Sequence, residues 1–169
     1  MSLVSPPDLP PESRRFVVQL HDATRLHYDL RVEDGGVLRS WAVPKGPSLD
    51  PGVKRLAVAV EDHTMEAGEF EGVHADAPRG TGAVIIWDEG TVEVRKNEPR
   101  HLSLVFSGHK LVGRFGLTAT GPKDWILVKA IDDAARPGSD ITAEHPGSVR
   151  TGRTWQEVAA AAPPRHESS

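Results

Sequence analysis

The sequence predicts a mainly β protein, a compact antiparallel β-barrel with one short helix near the C-terminus. Short runs in which apolar and polar residues alternate with period two fill most of the chain. Gly, Asp and Asn turn signals separate these runs, in place of the helical patterns that a βαβ fold requires. Only one segment, beginning at Thr154, carries a clear helix start.

The elements follow in order. Residues 1–13 hold Pro6, Pro7, Pro10 and Pro11 and read as an extended arm, because proline fixes φ and cannot donate to a sheet. Residues 14–162 read as one domain and residues 163–169 as a frayed tail. Phe16, Val18 and Leu20 alternate with Arg15, Val17 and Gln19, which predicts a first strand ending at His21. Leu26, Tyr28, Leu30 and Val32 alternate with His27, Asp29, Arg31 and Glu33 in the next. Asp34-Gly35-Gly36 supplies the positive-φ residues of a tight turn into Val37–Val43. Leu56, Val58 and Val60 form a further alternating run, and Gly82–Trp87 is a continuous apolar strand. Thr91–Arg95, Leu102–Phe106, Lys110–Thr118 and Trp125–Lys129 complete the strands. Thr154-Trp-Gln-Glu157 is a capping box leading into Val158 and the alanine run that follows.

Composition narrows the function. A chain of 169 residues is long enough for one well-formed core. It has no cysteine, so disulfide scaffolds, thiol catalysis and thiolate-bound zinc are excluded. No apolar run reaches membrane length, and the N-terminus lacks the basic and apolar regions of a signal peptide; a cytoplasmic monomer is expected. With 24 acidic and 20 basic residues the chain is not a general polyanion binder. The charge is uneven, however. Arg14 to Arg55 contains eight bases and five acids, whereas Glu61 to Asp76 contains six acids and no Lys or Arg. The first stretch could cradle a polyanion; the second reads as a solvated loop, and His74 within it carries little weight as a ligand.

Period-two geometry places His27, Asp29 and Arg31 on one strand face. The preceding strand ends at His21, with the parity of Gln19, and only a turn separates it from His27. Two readings are open. These residues form a solvated face with cross-strand ion pairs, or two imidazoles and a carboxylate converge on Mn²⁺, Zn²⁺ or Fe²⁺ with Arg31 beside them for a phosphoryl group. Arg55 and His63 share a parity opposite to Leu56, Val58 and Val60, with Glu61 between them. His63 is either an exposed strand-end histidine or a phosphate contact and general acid, since imidazoles titrate near neutrality. Lys45 and Lys129 are either exposed lysines or backbone-phosphate contacts. His101, His109, His145 and His166 read as surface residues.

Taken together, His21-Asp-Ala-Thr-Arg-Leu-His27-Tyr-Asp29-Leu-Arg31, Ser40-Trp-Ala-Val-Pro-Lys-Gly-Pro-Ser48, Lys54-Arg-Leu-Ala-Val and Val60-Glu-Asp-His63 closely resemble the 3′-phosphoesterase domain of bacterial DNA ligase D. Gly82 to Gly90, Gly108-His-Lys-Leu-Val-Gly113 and Trp125-Ile-Leu-Val-Lys129 extend the likeness, which runs from about Phe16 to Ala135. The resemblance implies a β-barrel end-healing enzyme of double-strand break repair by non-homologous end joining. It implies Mn²⁺, with Zn²⁺ or another divalent cation able to stand in, as the cofactor for removing a 3′-phosphate and trimming 3′-terminal ribonucleotides. It further implies His21, His27 and Asp29 as metal ligands, Arg31, Arg55 and His63 as contacts to the scissile phosphate, and Gln19 in support. The implied partners are 3′ ends of DNA primer-templates and a separate ligase and polymerase, neither of whose sequences is attached here.

The chain departs from the family in three places. Ala67 stands where a tyrosine is common, His74-Ala-Asp-Ala-Pro-Arg79 replaces a Pro-x-Gly-x-Tyr segment, and Ser5–Glu12 lacks the family's upstream charges. These departures bear on the rate and on ribonucleotide trimming. They also motivate the alternative of a catalytically weakened DNA-end binding module. A cupin-like small-molecule enzyme is disfavoured, because the His-x-His pair and following glutamate of that family are missing.

Overall fold

A computed structural model describes residues 13–77 and 81–162 of the chain. The proposed arm (apart from Ser13), the tail with His166, and Pro78 to Gly80 lie outside the described residues. The first two strands, β1 (Ser13–Asp22) and β2 (Leu26–Asp34), form a hairpin in which Asp22 faces Leu26 across a three-residue loop. Their alternation sends Phe16, Val18, Leu20, Leu30 and Val32 inward, all at most 3% exposed. Gly35 and Gly36 take φ of 59° and 88° in the turn to β3 (Val37–Val43), which non-glycine residues adopt only with strain.

The remaining strands are β4 (Lys54–Thr64), β5 (Gly72–Val73), β6 (Ala83–Glu98), β7 (His101–Gly108), β8 (Val112–Ala119) and β9 (Asp124–Lys129). All pairings are antiparallel, and the order β1-β2-β3-β4-β9-β8-β7-β6 closes because β1 also pairs with β6. The result is the predicted barrel, closed by eight strands and without free edges along its main circuit; β5 pairs with the start of β6, Gly72 opposite Val84 and Val73 opposite Ala83. Its interior is filled by aliphatics and edge-to-face aromatics. Phe16, Phe106 and Phe115 are linked at 4.8 and 5.3 Å between ring centres, and Trp41 meets Trp125 at 5.7 Å.

Two sequence expectations change. The runs 82–87 and 91–95 are one strand, β6, because Asp88, Glu89 and Gly90 pair with Val18, Val17 and Phe16 on β1. The register slips between Val18 and Gln19, and the extra residue, Trp87, turns into the core. On β4 the apolar run faces the wrong way for a core strand. Leu56 and Val60 are 43% and 40% exposed, whereas Ala57 and Ala59 point inward. Those alanines lie opposite Trp125 and Trp41, whose indoles already fill the space.

The helix expected after Thr154 is present as α2 (Trp155–Ala161), following a single turn, α1 (Ile141–Glu144), that sequence reading did not anticipate. The Thr154/Glu157 capping box forms in both directions. Among the described residues no helix is long and apolar enough to cross a membrane.

One buried carboxylate ties β6 to the β7–β8 turn. Asp88 accepts from the backbone amides of His109 (2.9 Å), Lys110 (3.2 Å) and Leu111 (2.7 Å), with 0% of its surface exposed. Asp88→Ala strands three backbone donors and is expected to cost about 3 kcal/mol in urea unfolding. A variant within roughly 0.5 kcal/mol of the parent would show that the turn satisfies itself.

Candidate active site

The β1–β2 register assembles the site. His21 lies directly across from His27, Gln19 from Asp29 and Val17 from Arg31, so their side chains share the outer face of the hairpin. On β3, Ser40 faces Arg31 and Ala42 faces Asp29, which extends the same face by one strand. Unlike an ordinary outer face, this one is buried. Gln19, Asp29 and Arg31 are only 2%, 5% and 7% exposed. A 3₁₀ helix, Met65–Glu69, packs over its apolar end, where Val17, Leu38 and Ile86 form a small second core. Gly68 makes that approach close enough that a Cβ there would meet Leu38 Cδ1 at 2.8 Å.

Asp29 is the electrostatic centre. Its Oδ1 is 3.0 Å from His27 Nε2, and its Oδ2 is 3.7 Å from His21 Nδ1 and 3.3 Å from an Arg31 Nη. Burial pushes the carboxyl upward, yet the nearby His21 ring, His27 Nε2 at 3.0 Å and the Arg31 charge outweigh it and hold Asp29 below the usual carboxylate range. The hydrogen bond to Asp29 in turn raises His27, against the effect of burial. Arg31 is fixed on three sides, donating from Nε to Gln19 Oε1 at 2.7 Å and from Nη1 to Ser40 Oγ at 3.0 Å, besides its contact with Asp29.

The donor set suits a divalent metal. His21, His27 and Asp29 each offer one ligand atom, and these lie within 4.8 Å of one another. His27 Nδ1 is 2.9 Å from the Arg25 carbonyl, which turns Nε2 toward Asp29 in the way that outer-shell contacts orient metal-bound imidazoles. His63 repeats the device, with Nδ1 2.9 Å from the Glu61 carbonyl. The space between is a cleft of about 660 Å³ floored by Gln19, His21, His27, Asp29 and Arg31 and walled by His63, Glu66, Ala67, Phe70 and His74.

His63 therefore joins the site, but Arg55 does not line the cleft. The equal parity expected from sequence fails because β4 carries a bulge. Ser40 pairs with Val60 and Leu38 with His63, two residues on β3 against three on β4. The extra residue puts His63 on the outer face with Val60 and leaves Arg55 with inward-facing Ala57 and Ala59. There its Nε donates to the Gly46 carbonyl at 3.0 Å. Lys129 also falls away as a phosphate contact, since its side chain is fully buried and paired with Asp132; Lys45 is exposed in the loop after β3.

The basic stretch is partly consumed by structure, with Arg14 paired to Asp34, Arg15 to Glu69 and Arg39 stacked over Trp41. His74, given little weight from sequence, stands in the cleft wall, stacked on Phe70 at 4.6 Å and edge-on to His21 at 5.5 Å. Burial and then the neighbouring His21 lower its pKa. No spacing rule links His74 to His21, because β5 and the turn before it bring them together. His109 and His145 are exposed, as expected, while His101 is half-buried against Thr118.

Two stability effects follow. Arg31→Ala leaves Asp29, Gln19 and Ser40 short of a buried partner and is expected to cost about 3 kcal/mol, read from urea unfolding. Asp29 has its folded pKa below the ordinary 3.8, so its stabilisation is complete above that value and fades as pH falls through the folded one. Asp29→Asn should accordingly lose less stability than the parent between neutral pH and about pH 3. Parallel pH profiles would contradict the assignment.

Comparison with known proteins agrees with this geometry. Residues 19–119 match the family described as the DNA Ligase D 3'-phosphoesterase domain. The multifunctional non-homologous end joining protein LigD of Pseudomonas aeruginosa is 48% identical over 152 residues, covering 83% of this chain and 18% of that protein. The multifunctional non-homologous end joining DNA repair protein LigD of Mycobacterium tuberculosis H37Rv is 40% identical over 119 residues, 68% of this chain and 16% of that protein. The LigD protein of Mycolicibacterium smegmatis is 39% identical over 135 residues, 73% of this chain and 18% of that protein. The chain thus spans less than a fifth of the length of these curated relatives. The match over residues 19–119 and the identity to these relatives place the chain in the DNA ligase D 3′-phosphoesterase domain family.

Proposed function

We propose that the cleft is a divalent-metal-dependent phosphoesterase site acting on 3′ ends of DNA. The observation that carries this is the buried Asp29, shared by two imidazoles and by a guanidinium locked in place beside them. A Mn²⁺ ion held by His21, His27 and Asp29 would supply positive charge on the phosphate and an acidified water. Arg31 faces the same point and would bind phosphate oxygens, its orientation fixed in advance by Gln19 and Ser40. His63 stands on the wall of the cleft with Nε2 free of the Glu61 contact. It would give a proton to the leaving oxygen.

For a 3′-phosphomonoester, water adds to phosphorus, the bond from phosphorus to the 3′ oxygen breaks, and inorganic phosphate and a 3′-hydroxyl result. That hydroxyl is the form a ligase seals, which accords with the end-joining names of the relatives. Arg55 does not line the cleft, and a contact it made with DNA would lie beside Gly46, to whose carbonyl its Nε donates.

One observation favours a second reading, a DNA-end binding module with little turnover: Ala67 lines the cleft and offers no side-chain hydrogen bond. Labelled primer-templates ending in a 3′-phosphate or a 3′-ribonucleotide, incubated with the protein and Mn²⁺, separate the two. Conversion that is lost in His21→Ala supports the esterase; end binding without conversion of either substrate supports the module. Conversion of the phosphate alone would assign the ribonucleotide step to what Ala67 and the divergent segments lack.

The wall position of His63 makes a second expectation. His63→Ala should lower turnover by roughly a hundredfold or more, while His109→Ala, exposed on the β7–β8 turn, should leave it unchanged. Equal losses would overturn the placement.

A further inference from the structure

Gln19 is the link between Arg31 and the cleft wall. While its Oε1 holds Arg31 Nε, its Nε2 donates to the carbonyls of Ala67 at 2.9 Å and Phe70 at 3.0 Å. The orientation of the guanidinium therefore depends on where the 65–70 segment sits. That segment is the five-residue 3₁₀ helix Met65–Glu69 with its cap Phe70, a form with poor internal hydrogen bonding and little stability of its own.

What fixes it comes from far along the chain. Glu71, next to Phe70, accepts at Oε1 from the Ile86 amide (2.7 Å) and Ser148 Oγ (2.6 Å), and at Oε2 from Thr151 Oγ1 (2.7 Å). Ser148 is 5% exposed, and its Oγ also accepts from the amides of Arg150 and Thr151, so the 148–151 turn is held rigid around this carboxylate. Val149 N–H donates to the Ile86 carbonyl at 3.0 Å, which docks the turn along β6. On the other side of Phe70, Glu69 pairs with Arg150, which also grips Glu89 with two nitrogens at 2.8 Å. The acidic stretch that reads from sequence as a solvated loop is thus anchored by its carboxylates at the two positions flanking Phe70.

We infer that Glu71 is a positioning residue for Arg31: clamped by Ser148 and Thr151, it fixes the Phe70 carbonyl, which holds Gln19, which holds the guanidinium. The turn that completes the clamp lies beyond residues 19–119, the part matched by the family. None of Glu71, Ser148 or Thr151 lines the cleft. The inference rests on the phosphoesterase reading for its effect on turnover, but not for its effect on Arg31.

The test uses the full chain and reads the side-chain Nε–H resonance of Arg31 by ¹⁵N–¹H NMR, together with Mn²⁺ binding and turnover of a 3′-phosphate primer-template. In the parent the resonance should be single and protected from solvent exchange. Glu71→Ala should broaden or abolish it and lower kcat roughly ten- to a hundredfold, with Mn²⁺ affinity changed by no more than about twofold, because the strands that carry the ligands are untouched. Glu71→Gln keeps an acceptor for Ile86 and Ser148 and should restore most of both signals, which a general loss of stability would not allow. Ser148→Ala, two steps removed from the cleft, gives the same reading in a milder form should Glu71→Ala fail to fold. Unchanged Arg31 protection in the folded variants would overturn the inference. If the parent converts no substrate, the phosphoesterase reading fails while the Arg31 resonance still decides the clamp.

Discussion

The buried carboxylate of Asp29 organises the site face of this domain. Asp29 sits on the outer face of a barrel strand, where a carboxylate would ordinarily be solvated, yet it is 5% exposed and must be stabilised by protein groups instead. Two imidazoles and a guanidinium do so. Each of these needs its own support, since a cation held beside a carboxylate still has donors to satisfy. His27 uses the Arg25 carbonyl, and Arg31 uses Gln19 and Ser40. The ring of contacts makes one arrangement of six side chains strongly preferred, the kind of preorganisation by which fixed polar groups can stabilise developing charge.

Barrel closure makes the arrangement rigid. β1 pairs on both sides, with β2 through the site residues and with β6 through Val84 to Glu93. The strand that carries Gln19 and His21 is therefore not an edge and cannot fray. Its inner face is locked by Phe16, Val18 and Leu20 in the main core, so the outer face inherits a fixed geometry. The small cluster of Val17, Leu38 and Ile86 under the 3₁₀ helix does the complementary task of keeping water from the apolar end of that face.

How much of this was legible in the sequence differs by position, for physical reasons. The β1–β2 hairpin was readable because period two, a short loop and direct cross-strand pairing leave no freedom; Gln19, His21, His27, Asp29 and Arg31 converge as their spacing requires. Arg55 was misplaced because parity counts only within an unbroken ladder, and the bulge before His63 is invisible to a count. Leu56, Val58 and Val60 resembled a core face, but indoles on β3 and β9 had already claimed the volume, leaving room for alanines. Lys129 reads as a surface lysine until Asp132 is seen to reach it three residues on. The acidic segment and His74 depend on contacts with β1 and with residues 148–151, separations that no local pattern encodes.

The β4 bulge gives the barrel and the cleft separate ways to fail. Nothing in the main core depends on the extra residue between Val60 and His63: Ala57 and Ala59 face inward before the bulge, and their indole partners hold them there. Deleting one residue at that point would leave Ala57 and Ala59 facing the main core while turning His63 off the outer face and shifting the 3₁₀ helix that follows it. The β4 bulge serves the cleft, whereas the slip opposite Val18 and Gln19 serves the core by turning Trp87 inward.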